Sequence, residues 1–133
     1  MKLDYLDDIT DSGKYPLADP DRLLRLYDFD AFELSKMRHL IKRSLIDRQG
    51  QLIISNLDFV LPVNCTLTFL VSERDSGIKL QAKDDRNFLG QFSMNTYVKM
   101  LEIIDLLEDG YNWLYDPCSE DEIHLLLSKG GGW

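Results

Sequence analysis

Histidines, cysteines and grouped carboxylates are the side chains of this chain that could do chemistry, and they are few. His39 lies on a predicted helix and His124 on a predicted strand, each out of phase with the apolar residues of its element. A catalytic base needs a partner group and a pocket, and the sequence displays neither beside these rings. It therefore predicts two surface histidines.

The two cysteines differ in setting. Cys65 points inward on a predicted strand, whereas Cys118 lies in an acidic loop. Two reduced thiols in a cytoplasmic protein are the expected state. No pair of cysteines or histidines has metal-binding spacing, and no glycine-rich loop precedes a helix. The sequence therefore predicts no metal and no cofactor.

Carboxylates cluster in two places. The loop 116–122 holds four of them without the spacing of a calcium loop, so a solvated hairpin turn is expected. Asp28 and Asp30 flank a strand-to-helix turn, where enzymes often hold ligands. Asp30 and Glu33, however, form a capping box that already explains Asp30. The pattern favours a protein without catalytic activity.

A long alternating stretch, Leu57–Val71, organises the elements around these residues. Its odd positions are all apolar, which predicts one long strand, or two in line, with one buried face. Pro62 cannot donate a ladder hydrogen bond, so it marks an edge, a bulge or a break. Leu61 and Val63 belong to the face predicted to be buried, as do Cys65 and its successors.

Two helices are predicted beside this strand. The first begins at the Asp30 cap and runs to about Asp47. Gly50 is expected to supply the left-handed residue that ends it. The second begins after a cap at Ser93 or Asn95. Their predicted buried faces are Leu34, Met37, Ile41 and Leu45 on the first helix, and Tyr97, Met100, Leu101, Ile104 and Leu107 on the second.

The order of elements predicts an α+β fold. We expect one antiparallel sheet of six or seven strands with both helices on one face, in a βαββ-β-βαββ order that suggests a pseudo-repeat. Residues 1–21 are predicted to be an irregular acidic arm, and two alternatives stay open for it: a helical turn at Leu3–Ile9, or full disorder. Residues 22–129 form the domain, and 130–133 are a glycine-rich tail whose Trp133 is expected to dock on the sheet.

Charge narrows the classes of partner. The 133 residues carry a net charge of −8, which disfavours nucleic acid and anionic membranes as partners. No apolar run approaches the roughly 20 residues of a spanning helix, and the N-terminus does not resemble a signal peptide. Residues 22–48 hold seven bases and four acids, whereas 93–128 hold one base and eight acids. This polarity suits a protein partner or a second copy.

One face of the first helix is the candidate interaction surface. It combines two apolar residues with a basic stripe, opposite the predicted buried face. Its members are Phe32, Lys36, His39, Arg43 and Ile46. The alternative is that loops or the N-terminal arm cover the two apolar side chains.

Two classes of function follow. The first is a non-enzymatic protein-interaction or binding module, acting through this helix or through a bare sheet face. The second is a small enzyme or ligand-binding cup with an aromatic pocket between sheet and helices. The candidate pocket residues are Tyr27, Tyr97, Tyr111, Trp113 and Tyr115.

Overall fold

A computed structural model describes residues 1–6, 22–81, 86–107, 110–117 and 122–130. These residues form strands and helices. In chain order they are β1 (Lys2–Leu6), β2 (Leu23–Tyr27), α1 (Ala31–Leu40) continued by a π-helical segment (Ile41–Asp47), β3 (Gln51–Ile53), a 3₁₀ turn (Ile54–Asn56), β4 (Leu61–Pro62), β5 (Thr66–Val71), β6 (Gly77–Leu80), β7 (Asn87–Phe92), α2 (Met94–Asp105), β8 (Asn112–Tyr115) and β9 (His124–Ser128).

The strands form two mixed sheets. One has the order β4-β1-β2-β9-β8, and the other has the order β3-β5-β7-β6. The α+β class is confirmed, but the predicted single antiparallel sheet is wrong. Short connections favoured hairpins, yet β2 pairs in parallel with β9 and β5 pairs in parallel with β7. Periodicity along one strand does not reveal which distant strand becomes its neighbour.

The two sheets share one pairing scheme. In the first, β1 and β2 are antiparallel, β2 and β9 parallel, and β9 and β8 antiparallel. In the second, β6 and β7 are antiparallel, β7 and β5 parallel, and β5 and β3 antiparallel. Helix α1 directly follows β2, which pairs with β9 of the β8–β9 hairpin from the second half of the chain. Helix α2 directly follows β7, which pairs with β5 of the β3–β5 hairpin from the first half. Strand β4 is an addition at the edge of the first sheet.

The core lies where the two sheets and the helices meet. Tyr5 of β1 contacts Phe88 of β7 with ring centroids 4.6 Å apart, which joins one sheet to the other. The π-helical segment packs against β3 and α2, and α2 packs against β8. The helices therefore do not both cover one face of one sheet, as the sequence predicted. They cover strands of different sheets.

The alternating stretch is divided between the two sheets. Cys65, Leu67 and Phe69 are buried as predicted, but Leu61 and Val63 are 58% and 54% exposed. The chain leaves β4 on the first sheet and enters β5 on the second, so the buried face does not continue across the break. Pro62 lies on an edge strand, which confirms one of its three predicted positions.

The predicted starts of the helices and the predicted end of the first near Asp47 are confirmed, but its winding and its stop residue differ from the prediction. The capping box of Asp30 and Glu33 is confirmed, as is the Ser93 cap of α2. The α-helical hydrogen bonding of the first helix stops at Leu40, and a π-helical segment continues to Asp47. The left-handed residue beyond it is Gln49, with φ of 50°, and not Gly50.

The N-terminus differs from its prediction where it is described. Lys2–Leu6 form strand β1 in place of a helical turn, because their apolar residues Leu3 and Tyr5 alternate and pack inward. Residues 7–21, Cys118 and residues 131–133 with Trp133 lie outside the described residues. Cys65 is a buried free thiol.

Candidate interaction groove on the first helix

The start of α1 is fixed by its own sequence. Asp30 Oδ1 accepts a hydrogen bond from the Glu33 amide at 2.8 Å, and Glu33 Oε1 accepts one from the Asp30 amide at 3.2 Å. This reciprocal cap satisfies two backbone donors that a helix start leaves open. It also sets the helical phase, which turns Phe32 away from the core while Met37 is buried.

A groove of about 480 Å³ runs between α1 and the turn at residues 57–60. Aromatic rings form its two walls, one from each segment, and charged or polar side chains lie between them. The lining residues are Phe32, Ser35, Lys36, His39, Leu40, Asp58 and Phe59.

The two aromatic walls are held differently. Phe59 is half-buried and packs against the core, whereas Phe32 is 67% exposed. The Lys36 ammonium lies 4.6 Å from the centroid of the Phe32 ring and 5.6 Å from that of Phe59. Cation–π contacts at exposed sites contribute about 0.5–1 kcal/mol each. Lys36 therefore occupies the space between the rings.

Met1 connects the two walls at one end of the groove. Its amino group donates to Glu33 Oε2 at 2.6 Å and to the Phe59 carbonyl at 3.1 Å. Glu33 belongs to α1, next to Phe32, and Phe59 belongs to the opposite wall. Because one ammonium group binds both segments, the separation between the walls is fixed by hydrogen bonds as well as by packing.

The apolar surface continues beyond Phe59. A second depression, of about 300 Å³, shares Asp58 and Phe59 with the groove and includes the exposed side chain of Leu61. The amides of Leu61 and Val63 donate to the carbonyls of Met1 and Leu3, so Pro62 faces the open edge of β4. A proline there offers no donor to an added strand. The surface therefore offers side chains to a partner and no outward amide at Pro62.

Three of the five residues predicted for the interaction surface line the groove, namely Phe32, Lys36 and His39. Arg43 is exposed further along the helix and does not line it. Ile46 is half-buried and packs against the core. A π-helical turn holds more residues than an α-helical one, so each residue advances by less than 100°. The π-helical segment thereby turns Ile46 out of line with Phe32.

The basic residues of this helix fall into two groups. Arg38 forms a bidentate ion pair with Asp105 of α2, at 2.6 and 3.0 Å, which lowers the pKa of that carboxyl. Lys42 pairs with Asp47 five residues later, a spacing that π-helical winding brings together. Within the described part of the chain, no ion pair engages Lys36, His39 or Arg43, all on or near the groove.

The five residues of the predicted aromatic pocket have different surroundings in the part of the chain that the structure describes. Tyr97 is fully buried, and its hydroxyl donates to the Leu70 carbonyl at 2.6 Å. Burial raises the pKa of that hydroxyl. Tyr115 contacts the ring of Phe92. The other three residues have different neighbours: Tyr27 lies beside Arg25, Trp113 lies beside His124, and Tyr111 is exposed.

His124 is a polar residue that the sequence misplaced. It is 5% exposed, so the prediction of a surface histidine is wrong for this residue. Its Nε2 lies 3.2 Å from Asp116 Oδ1, its Nδ1 lies 3.2 Å from the Glu122 carbonyl, and its ring meets Trp113 edge to face. The signal was available in the unbroken apolar run of β9, which indicates a strand buried on both faces.

Cys65 is a buried thiol. Burial raises the pKa of the Cys65 thiol to about 12, so little reactive thiolate forms near neutral pH. No group of three or more potential metal ligands occurs among the residues that the structure describes. In the same residues, no helix is both long and apolar enough to cross a membrane.

Comparison with known proteins adds no family. Neither a protein-family model nor a curated protein matches this chain.

Proposed function

We propose that this chain is a non-enzymatic protein-interaction module that docks a partner segment in the groove between α1 and the turn at residues 57–60. The observation that carries the proposal is the exposed ring of Phe32 facing Phe59 across that groove. A folded domain gains nothing from a phenylalanine in water, and exposed apolar grooves with polar rims commonly mark interaction sites.

The charge around the groove indicates the chemistry of the partner. Lys36, His39 and Arg43 are basic or protonatable, and none has an ion-pair partner among the described residues. These bases stand beside one lining carboxylate, Asp58, whereas the chain as a whole carries a net charge of −8. Complementary charge accelerates encounter and excludes like-charged competitors. The occupant is therefore an acidic protein segment.

The shape and energetics indicate how that segment is anchored. Pro62 removes a donor from the neighbouring strand edge, which disfavours docking by strand addition. A phenylalanine side chain buries roughly 150–250 Å², and about two thirds of Phe32 remains to be covered. At about 25 cal/mol per Å², covering it contributes roughly 2.5–4 kcal/mol before entropy costs. The segment therefore inserts a large apolar side chain.

A labelled probe peptide tests the proposal. The probe is a short fluorescein-labelled peptide with one tryptophan among glutamates, and binding is measured by fluorescence anisotropy. Phe32→Ala should weaken binding by about tenfold, as expected for an interface anchor. Val98→Ala is the matched control, because Val98 is an exposed apolar residue on α2. It should leave the affinity unchanged.

Three results would contradict the proposal. They are equal loss of affinity in the two variants, equal binding of a peptide with alanine in place of the tryptophan, and no binding at millimolar peptide. Sedimentation velocity of the free protein tests a second copy as occupant. A concentration-dependent dimer that Phe32→Ala abolishes would assign the groove to self-association instead.

The ligand-cup alternative has no comparable support. Its five aromatic residues are distributed between the core, the sheets and the surface, and one of them, Tyr97, is fully buried. No specific observation favours a small-molecule substrate.

We further propose that the two halves of the fold are an internal duplication with exchanged hairpins. Besides the shared pairing scheme, residues 29–41 (FDAFELSKMRHLI) align with 92–104 (FSMNTYVKMLEII) without gaps. The identical positions are Phe29 with Phe92, Lys36 with Lys99, Met37 with Met100, and Ile41 with Ile104. The three apolar pairs are buried in both halves, which is what a repeated core requires.

A further inference from the structure

The space between the two aromatic walls already has an occupant from the chain itself. The Lys36 ammonium lies within 4.6 Å of the Phe32 ring centroid and 5.6 Å of the Phe59 ring centroid. An apolar side chain that packs between these rings must take the place of the ammonium. The incoming group therefore competes with Lys36 for the same aromatic surface.

A displaced ammonium group needs a new favourable contact. If the Lys36 ammonium exchanges its contacts with the two aromatic rings for water alone, entry of the apolar group becomes less favourable. A carboxylate carried next to the apolar group removes that cost, because the ammonium can turn towards it and form an ion pair. Asp58 is the carboxylate among the residues that line the groove, and none of the ion pairs between described residues joins it to Lys36.

We infer that Lys36 determines the specificity of the groove by favouring entry of an apolar side chain that has an adjacent carboxylate. This inference rests on the proposed function and names the partner motif more closely: a large apolar residue with an acidic neighbour. Lys36 is here a residue of binding specificity. Its ammonium lies where the incoming apolar side chain packs, and next to the carboxylate that the partner carries beside that side chain.

Two peptides and three proteins test the inference. The peptides are the acidic tryptophan probe and its isostere with glutamine in place of every glutamate. The proteins are the wild type, Lys36→Met and Lys36→Arg. Methionine keeps the unbranched apolar stem of lysine and removes its charge, and both replacements are good helix formers. Affinities are measured by anisotropy at low and high salt.

In the wild type, the acidic peptide should bind about fivefold more tightly than the isostere, as expected of one exposed ion pair. Lys36→Met should abolish this preference and bind the neutral isostere more tightly than the wild type does. Lys36→Arg should retain the preference. High salt should reduce the preference in the wild type and leave Lys36→Met unaffected, because salt screens exposed charges.

Other outcomes would overturn the inference. Equal weakening of both peptides in Lys36→Met would mean that Lys36 contributes packing alone. An undiminished acidic preference in Lys36→Met would assign the carboxylate to His39 or Arg43. If the displaced ammonium pairs with Asp58 instead, the wild type would show no preference for the acidic peptide. The preference would then emerge only in Asp58→Asn, and this result also contradicts the inference. Each of these results leaves the Phe32-dependent docking intact, whereas absence of any peptide binding rejects both proposals.

Discussion

Helices α1 and α2 occupy equivalent places in the two halves of the fold but present different surfaces. Each follows a strand, begins at a capped junction and buries a methionine at the same position, Met37 and Met100. Outside the core they diverge. The residue of α2 aligned with Phe32 is Asn95, and the residue aligned with His39 is Glu102. The fold accounts for the shared residues, whereas the exposed aromatic ring of α1 needs another explanation.

The two helices also end differently. The π-helical segment follows α1, whereas α2 ends at Asp105 with Leu106 as its cap. π-Helical insertions are uncommon and often lie near functional sites. Here the segment turns the half-buried Ile46 against the core and leaves Phe32 as the large exposed apolar residue of this helix. The comparison separates residues that stabilise the fold from residues available to a partner.

The largest expected effect tests the equivalence of the two helices. Met37→Ala and Met100→Ala each remove a side chain that is buried at 1% or less exposure. Each should lower the free energy of unfolding by about 2–5 kcal/mol, as for other core truncations that leave a cavity. Denaturant unfolding measures both. A negligible loss at either position would show that this helix is not packed as its counterpart is.

A smaller effect distinguishes Phe32 from Ile46 within the first helix. Ile46→Asp places a carboxylate against the core and should lower the free energy of unfolding by roughly 1–3 kcal/mol. Phe32→Asp changes an exposed position and should stay within about 0.5 kcal/mol of the wild type. Thermal melts of the two single variants provide the check. A large drop in Phe32→Asp would mean that this ring supports the fold.

The smallest effect concerns how the two helices are capped. Asp75, distant in sequence, accepts hydrogen bonds from the Ser93 amide at 2.7 Å and from Thr96 Oγ1 at 2.6 Å, at the start of α2. Partial burial alone would raise the pKa of Asp75, but the hydrogen bonds from Thr96 and Ser93 outweigh it and lower the pKa. In α1, in contrast, the corresponding N-cap amide, that of Asp30, donates to the helix's own Glu33 Oε1.

Because the folded pKa of Asp75 is depressed, its stabilisation is present above the unfolded value of about 3.9 and is lost as the pH falls through the folded value. Asp75→Asn should therefore be less stable than the wild type at neutral pH, and the difference should shrink towards pH ~2. Urea midpoints across this range measure it. A constant difference would exclude ionisation of Asp75 as the cause.

Sequence periodicity predicted the local elements well and their long-range arrangement poorly. The caps of both helices and the burial of Leu67, Phe69 and Met37 follow from local signals. Alternation placed Leu61 and Val63 in the core, because it cannot show that the chain changes sheets after Pro62. The parallel pairings of β2 with β9 and of β5 with β7 join residues that are distant in the sequence.

The candidate site was likewise found in part. Phe32, Lys36 and His39 share one face of an α-helix, and helical spacing alone brings them together. Ile46 was assigned to that face because π-helical winding leaves no mark in the apolar pattern. Phe59 was missed as the opposite wall because its contact with α1 spans distant residues. His124 was misplaced because both faces of β9 are covered.

The most direct test of the central claim maps the docking site itself. Amide ¹H–¹⁵N spectra of the wild-type protein are titrated with the acidic tryptophan peptide. We expect the shift changes to centre on residues 32–40 and 57–61, with little change along α2. Shift changes centred on α2, or scattered evenly over both helices, would contradict the assignment of the groove as the interaction site.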